Sequence, residues 1–268
     1  MPELAEVEYF SHQWDSGLGK PIRSVFLRGE KRIFRGGDPR EIPIELTGRK
    51  LIGSTTHGKQ MMFRFGGGHH LGIHLGMTGA IRAFETRTYD PAKHDHLVLY
   101  QAKRVLVFHD PRLFGRVRFS SGGPPNWWTD LPPEVLSAAF TQSALTEYLA
   151  RHRGAPLKAL LLDQDRFPGV GNWMADEILW RAELHPRRSG GSLNREESKR
   201  LWRETRQVCR MARKTISPNL DDPPSSWLFQ HRWKDGGVCP RTGTGLVRET
   251  IGGRTTCWSP GRQPEPRG

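Results

Sequence analysis

The sequence predicts an α+β protein of two domains, with a β-sandwich or barrel in its first half, helices in its second, and a small β-hairpin unit at the end. Three observations carry this. Between about residues 20 and 120, short apolar runs alternate with glycine-rich turns, the pattern of a sandwich or barrel. Beyond about residue 130, the apolar period lengthens to that of helices. Two breaks rich in proline, glycine and serine or aspartate, at 120–126 and 217–224, punctuate the chain.

Taken in order, Leu4 to Trp14 reads as an opening helix, with Leu4, Val7 and Phe10 close to one face. Lys50–Gly53, Met61–Phe65, Leu97–Tyr100 and Val105–Phe108 read as strands. Past the first break, Pro133–Ala139, Thr141–Arg151 and Pro156–Leu162 read as short helices. Asn172–Arg181 is another, entered through the glycine turn Gly169-Val170-Gly171. Asn194–Ile216 is longer, with Leu201, Thr205, Val208 and Ala212 along one side. Its other sides carry Arg195, Lys199, Arg203, Arg206, Arg210 and Arg213, a stripe that suits either solvent or an anionic partner. From Trp227 onward a glycine-rich hairpin carries seven Lys/Arg against three Asp/Glu, which helps to locate an anion-binding surface. No internal repeat is visible.

At 268 residues the chain is long enough for one large or two modest cores. Lys and Arg total 41 against 28 Asp and Glu, a formal charge of +13, with a pI near 10.2. Such an excess calls for a polyanionic partner, nucleic acid before membrane. No apolar run approaches the roughly 18–20 residues that span a bilayer, and the start lacks the basic-then-apolar order of a signal peptide. Three scattered cysteines make no disulfide framework. The expectation is a soluble protein of the cytoplasm, associated with the nucleoid, with reduced thiols.

Pro2 and Glu3 bear the most distinctive chemistry. With Met1 removed, Pro2 presents a secondary amine beside a carboxylate. An α-amino group loses its proton at lower pH than a lysine, near 7.7–8.0 against roughly 10.4, and an unprotonated amine can attack an electrophilic sugar carbon to give an iminium. A Met-Pro start by itself equally suits aminopeptidase processing. The glycine turn opening the helix at Asn172 is a second signal, since exposed amides at a helix N-terminus bind phosphate oxygens.

Further motifs accompany these in order: Pro2-Glu3-Leu4-Ala5-Glu6-Val7-Glu8, His57-Gly58-Lys59, His74-Leu75-Gly76-Met77-Thr78-Gly79, Lys93-His94-Asp95-His96, Asp110-Pro111-Arg112-Leu113-Phe114-Gly115, Leu157-Lys158 through Gly171-Asn172, and Gly253-Arg254-Thr255-Thr256. Together they resemble the formamidopyrimidine-DNA glycosylase and endonuclease VIII family, over nearly the whole chain. The resemblance implies a two-layer β-sandwich catalytic domain at 1–122, a helix–two-turn–helix domain at 130–217, and a hairpin finger at 227–268, with DNA in a basic cleft between domains. It implies a monomer acting on double-stranded damaged DNA as glycosylase and abasic-site lyase in base excision repair. Pro2 would attack C1′, and β,δ-elimination would follow. No cofactor is required, because the iminium is the electron sink. Glu3 would exchange protons with the opening sugar, Glu6 would orient the amine or ribose, and Lys59 would reach the phosphate beside the lesion. Met77, Arg112 and Phe114 would fill the hole left by the flipped nucleotide, although Met77 also suits a plain core position. Lys158, the Gly171 turn amides, Asn172 and Arg254 would contact phosphates.

The chain departs from the family pattern in four places. Family members commonly end in a zinc finger of two Cys-x-x-Cys pairs. Here the first reads Cys239-Pro240-Arg241-Thr242, the second falls on Ser259-Pro260-Gly261-Arg262, and Cys257 is displaced by two residues. A structural zinc needs four N, S or O ligands, so a zincless finger is expected, packed by Trp233, Val238, Leu246, Val247, Ile251 and Trp258. Ala5 stands where proline is usual, and Leu113 where a basic residue is common. The segment between the long helix and Trp227 is short, which shifts the expected substrates from 8-oxoguanine toward oxidised pyrimidines and ring-opened purines. The alternative to an enzyme is a non-catalytic DNA-damage-binding relative, against which Pro2, Glu3 and Lys59 all argue.

Overall fold

The computed structural model describes residues 1–35 and 37–265. By contact the chain divides into two compact units, one of Met1–Pro2 and Glu6–Leu131, the other of Glu3–Ala5 and everything from Pro132 onward.

In the first unit, most of helix α1 (Leu4–His12) is followed by strand β1 (Ser24–Leu27), the short helix α2 (Glu41–Leu46), and strands β2 (Leu51–His57), β3 (Gln60–Phe65), β4 (His69–His74), β5 (Ala80–Phe84), β6 (Asp95–Tyr100), β7 (Val105–His109) and β8 (Arg116–Ser120), then by the single turn α3 (Asn126–Thr129). They form two antiparallel four-stranded sheets, ordered β1-β6-β7-β5 and β2-β3-β4-β8. Alternate residues point to opposite faces of a strand, so Phe63, Leu71, Ile73 and Val117 from one sheet meet Ile81, Leu97, Leu99 and Phe108 from the other in one buried core. The predicted sandwich is therefore the fold of this unit.

The second unit holds α4 (Gln142–Arg151), α5 (Leu157–Leu160), α6 (Asn172–Ala182), α7 (Arg195–Ile216) and a hairpin of β9 (Val247–Ile251) and β10 (Arg254–Trp258). Thr141 caps α4 by accepting from Ala144 N–H, and Asn194 and Glu197 form a reciprocal capping box that starts α7. Leu201, Thr205, Val208, Ala212 and Ile216 recur every three or four residues and are buried.

The helix predicted over Pro133–Ala139 does not form; this stretch is a run of turns. The Arg206 guanidinium takes the carbonyls of Val135, Leu136 and Ser137, so they are spent on a side chain instead of a helical ladder. One member of the basic stripe on α7 is thereby structural.

The terminal hairpin is closed by Gly252 and Gly253, both at positive φ (59° and 74°), a conformation nearly reserved to glycine in two-residue hairpin turns. Its core differs from the expected one. Trp233 and Val238 are 54% and 47% exposed, whereas Trp180 from α6 joins Leu228, Leu246, Cys239 and Cys257 in a buried cluster. Trp180 donates its indole N–H to Cys239 Sγ at 3.4 Å. Burial alone would raise the Cys239 thiol, but donors from Ser259, Thr242, the Arg241 backbone and Trp180 outweigh it and hold the thiol down to about 6. Among the described residues no three His, Cys, Asp or Glu side chains are placed to hold a metal ion. Nor is any described helix long and apolar enough to cross a membrane.

Candidate active site and nucleic-acid interface

Glu3 supplies the best-defined polar geometry of the second unit. Its side chain is 3% exposed, and its carboxylate accepts from the main-chain N–H of Gly171 at 2.9 Å, Trp173 at 2.9 Å and Met174 at 3.1 Å. The first turn of a helix has N–H groups without intrahelical partners, and a negative charge is favoured there. Gly171 is needed for the approach: a Cβ at that position would lie 2.3 Å from Glu3 Cδ. Leu4 N–H also donates to Gly169 O at 3.0 Å, so the main chain just after Glu3 is fixed to the same turn. The glycine-turn amides predicted to cradle a phosphate, Gly171 included, are thus turned to an anion the protein itself provides.

Lys158 is a second correction. Predicted as a phosphate contact, it is wholly buried and donates to Asn172 O at 2.7 Å and Asp176 Oδ1 at 2.5 Å. Burial holds its ammonium below the ordinary lysine range, against the pull of Asp176. The other Asp176 oxygen accepts from Arg232 Nη2 at 2.5 Å, Arg232 Nε at 3.1 Å and Cys257 N–H at 3.0 Å. Asp176 therefore ties α6 to the hairpin directly, through Cys257 N–H, and gathers two buried cations, Lys158 of α5 and Arg232. The same joint aligns two other predicted residues. Half-buried Asn172 donates from Nδ2 to Thr255 O at 2.8 Å, and Thr255 follows exposed Arg254 at the hairpin turn. Asn172 is thus bonded to the residue next to Arg254, which is open to solvent.

In the first unit, Lys59 sits in the tight β2–β3 turn beside Gly58 (φ 57°), and is half-buried. The strand register sets Gln60 opposite His74 and His74 opposite Arg116. His74, singled out by sequence only as part of a motif, is a functional candidate that the structure adds. Its imidazole is pushed down to about 4 by burial, then by Lys59, Arg116, Arg118 and Arg35. Gly76 N–H donates to Nδ1 at 3.0 Å, so the neutral ring carries its proton on Nε2, as an uncharged donor. With its folded value depressed below the free value near 6.5, His74 contributes stability that is complete at neutral pH and lost as pH falls from about 6.5 toward about 4. Urea unfolding at pH 7.5 and 4.5 tests this: His74→Asn, whose amide oxygen can still accept from Gly76, is expected to lose less stability over that interval than the parent.

Met77, Arg112 and Phe114 are all on the surface, Met77 and Phe114 being 42% and 41% exposed. Two loops are clamped to carry them. Buried Asp110 accepts from Thr78 Oγ1 at 3.0 Å, Arg112 N–H at 3.2 Å and Gly115 N–H at 2.7 Å. Gly76 (φ 64°) lies so close to the Phe114 carbonyl carbon that an added Cβ would be 2.4 Å away. The Arg112 and Arg32 guanidiniums stand 4.8 and 5.1 Å from the Phe114 ring centroid. Leu113, at φ 58°, holds a conformation uncommon outside glycine, steadied by Arg32 Nε donating to its carbonyl at 2.8 Å. The exposure of Met77 removes its reading as a core residue. Pro2 and Glu6 are half-buried, Glu6 in the first turn of α1.

Known proteins share this organisation. Residues 1–117 match the formamidopyrimidine-DNA glycosylase N-terminal domain family, and residues 131–218 the formamidopyrimidine-DNA glycosylase H2TH domain family. A formamidopyrimidine-DNA glycosylase of Thermus thermophilus is 35% identical over 282 residues, covering 99% of each chain. One from Geobacter metallireducens is 34% identical, covering 97% of this chain and 98% of its own. Among solved structures, the Lactococcus lactis Fpg bound to DNA containing an oxidised pyrimidine superposes with a TM-score of 0.88 at 27% identity, and its complex with DNA containing an abasic site with a TM-score of 0.86 at 26%. Each comparison covers 98% of this chain and 100% of the other.

Proposed function

The chain belongs to the formamidopyrimidine-DNA glycosylase family, and from that premise we propose that it removes oxidised bases from double-stranded DNA and cleaves the abasic site it creates. The observation that carries the reading is the anchoring of Glu3, the covalent neighbour of Pro2, by main-chain amides of α6. A nucleophile gains most when its position is fixed in advance, and an amine next to an immobilised carboxylate meets that need.

In the proposed sequence, the Pro2 amine, freed by loss of Met1, bonds to C1′ of the damaged nucleotide as the base departs with the glycosidic electron pair. Ring opening gives the iminium, and the Glu3 carboxyl exchanges protons with the sugar oxygen. Loss of the C2′ proton passes its electron pair to the iminium, and the enamine so formed expels the 3′ phosphate to leave a conjugated iminium; loss of the C4′ proton then expels the 5′ phosphate in the same way. Glu6 orients the amine or the ribose. Lys59 and the His74 Nε2–H bind the lesion-strand phosphate, with Asn172 and Arg254 as further phosphate contacts. Flipping the nucleotide costs a few kcal/mol; Met77 and Phe114 restore lost stacking, and Arg112 pairs with the orphaned base. Oxidised pyrimidines and ring-opened purines are the proposed substrates, and the protein acts as a monomer.

Borohydride reduction tests this directly. Purified protein whose mass confirms loss of Met1, mixed with an abasic-site duplex, is expected to yield a covalent adduct. A version extended ahead of Pro2 is expected to yield none. Tight binding of the abasic duplex without any adduct would mean a damage-binding relative instead of an enzyme.

A further inference from the structure

We propose that the outer face of the β2-β3-β4-β8 sheet is a nucleotide-binding surface of its own, which takes a single-stranded stretch of the lesion strand beyond the phosphate held at Lys59 and His74. The proposal rests on the reading of those two residues as phosphate contacts.

Strands β3, β4 and β8 pair without a break in register. Phe63, Leu71, Ile73 and Val117 face the core, so Gln60, Met62, His70, Gly72, His74, Arg116 and Arg118 occupy the opposite face, with Gly72 paired to Arg118 and His74 to Arg116. Gly72 leaves room for an aromatic lid: a Cβ there would lie 2.6 Å from Cη2 of Trp127, whose ring rests on the strand. Trp127, Phe119, Arg35, Arg116 and Arg118 line an open recess of about 450 Å³, within the roughly 300–1,000 Å³ of sites that hold small organic groups. An adjoining recess is lined by Arg35, Arg116 and Arg118 together with Gln60, His74 and Phe114, which joins this face to the proposed phosphate site.

The charge of the face is uncompensated. No carboxylate lines either recess, and among the described residues Arg116 and Arg118 have no acidic partner within ion-pair distance. Burial, then Arg116 and Arg35, work against the charge of Arg118. Three guanidiniums held together without an acid are costly to the fold unless an anion joins them. Arg116 and Arg118 are two residues apart on one strand, roughly 6.6–6.8 Å, comparable to the separation of successive phosphates on one nucleic-acid strand. A basic track with an aromatic wall is how single strands are held without sequence preference: bases stack while cations follow the backbone. A rigid duplex offers no base to Trp127, so a single-stranded segment fits better than paired DNA.

The experiment measures affinity for a short duplex carrying a tetrahydrofuran abasic analogue, blunt or extended on either side by five nucleotides of single or double strand. A single-stranded extension on one side is expected to tighten binding by the parent by about tenfold. Arg116→Gln/Arg118→Gln and Trp127→Ala are each expected to erase most of that gain. The double variant should also flatten the plot of log affinity against log salt by about 1.4, two single-strand phosphates' worth, while Arg116→Lys/Arg118→Lys keeps the slope. Relieved repulsion predicts that the glutamine variant melts no lower than the parent. A gain that is absent, that needs duplex, or that persists in the variants would overturn the proposal. Lys59→Ala separates the two readings, since it should weaken the blunt complex and leave the extension gain intact. Failure of the parent to prefer the abasic analogue over intact DNA would count against the proposed function alone, because binding of undamaged single strands reports on the recess by itself.

Discussion

Asp176→Asn is expected to destabilise the second unit by about 3–5 kcal/mol, the usual cost of removing one partner from a buried ion pair. The side chain is 1% exposed and its two oxygens serve Lys158, Arg232 and Cys257 N–H. Asparagine removes the charge and places an N–H₂ donor where an acceptor is required, leaving two buried cations facing each other. Since Asp176 lies on α6 while Cys257 lies on β10, the hairpin and its exposed Arg254 are expected to loosen first. Tryptophan fluorescence during urea unfolding reports the loss, because Trp180 and Trp258 lie in or beside the hairpin core. Asp176→Leu combined with Lys158→Met and Arg232→Met should recover most of the stability, since well-packed apolar replacements of a buried ionic group are often neutral. A cost below about 1 kcal/mol for Asp176→Asn would place the anchoring of the hairpin elsewhere, in the Trp180 cluster.

That network shows where reading from sequence stops. Elements with a strong local signal were legible: the strand alternation, the α7 periodicity and the glycine turns all depend on neighbours within a few positions. The helix expected at Pro133–Ala139 failed because its carbonyls are claimed by Arg206, about 70 residues away. Lys158 followed the general rule that lysines are exposed, and only the fold brings Asp176 to it. Hydrophobicity alone chose Trp233 and Val238 for the hairpin core. The position was instead taken by Trp180 from α6, together with two cysteines that no metal-ligand spacing unites.

Ordered motifs named the candidate residues, and the fold shows how each of them is held. Met77, Arg112 and Phe114 were identifiable by residue type and order, but their shared clamp, Asp110 with Thr78 and Gly115, is a contact between loops. His74 was within reach: a histidine in a strand next to a lysine turn, with alternating arginines across the sheet, carries a recognisable electrostatic signal. The glycine turn was read as a phosphate site, and Gly171 N–H is instead given to Glu3. The occupant of the turn, a carboxylate 168 residues earlier in the chain, is a property of the fold.

Glu3→Gln is expected to slow adduct formation with the abasic-site duplex by about 10²–10⁴-fold, the usual contribution of a positioned acid–base group, with little change in DNA affinity. Two effects combine. Glutamine cannot exchange the proton, and its amide must set an N–H₂ against main-chain donors, since both Glu3 oxygens accept from them. One buried N–H then loses its acceptor, at about 1–3 kcal/mol, and the residue next to Pro2 is released. Gly171→Ala separates position from chemistry. It keeps the carboxyl group but puts a methyl 2.3 Å from Glu3 Cδ, so the side chain must leave the helix terminus. If the clamp exists to place Pro2 and Glu3, Gly171→Ala should reproduce much of the kinetic loss of Glu3→Gln while DNA still binds. If its rate stays near that of the parent while Glu3→Gln is slow, only the proton exchange matters. The amides of α6 would then serve stability alone, and both variants should share a lowered melting temperature instead of a shared rate.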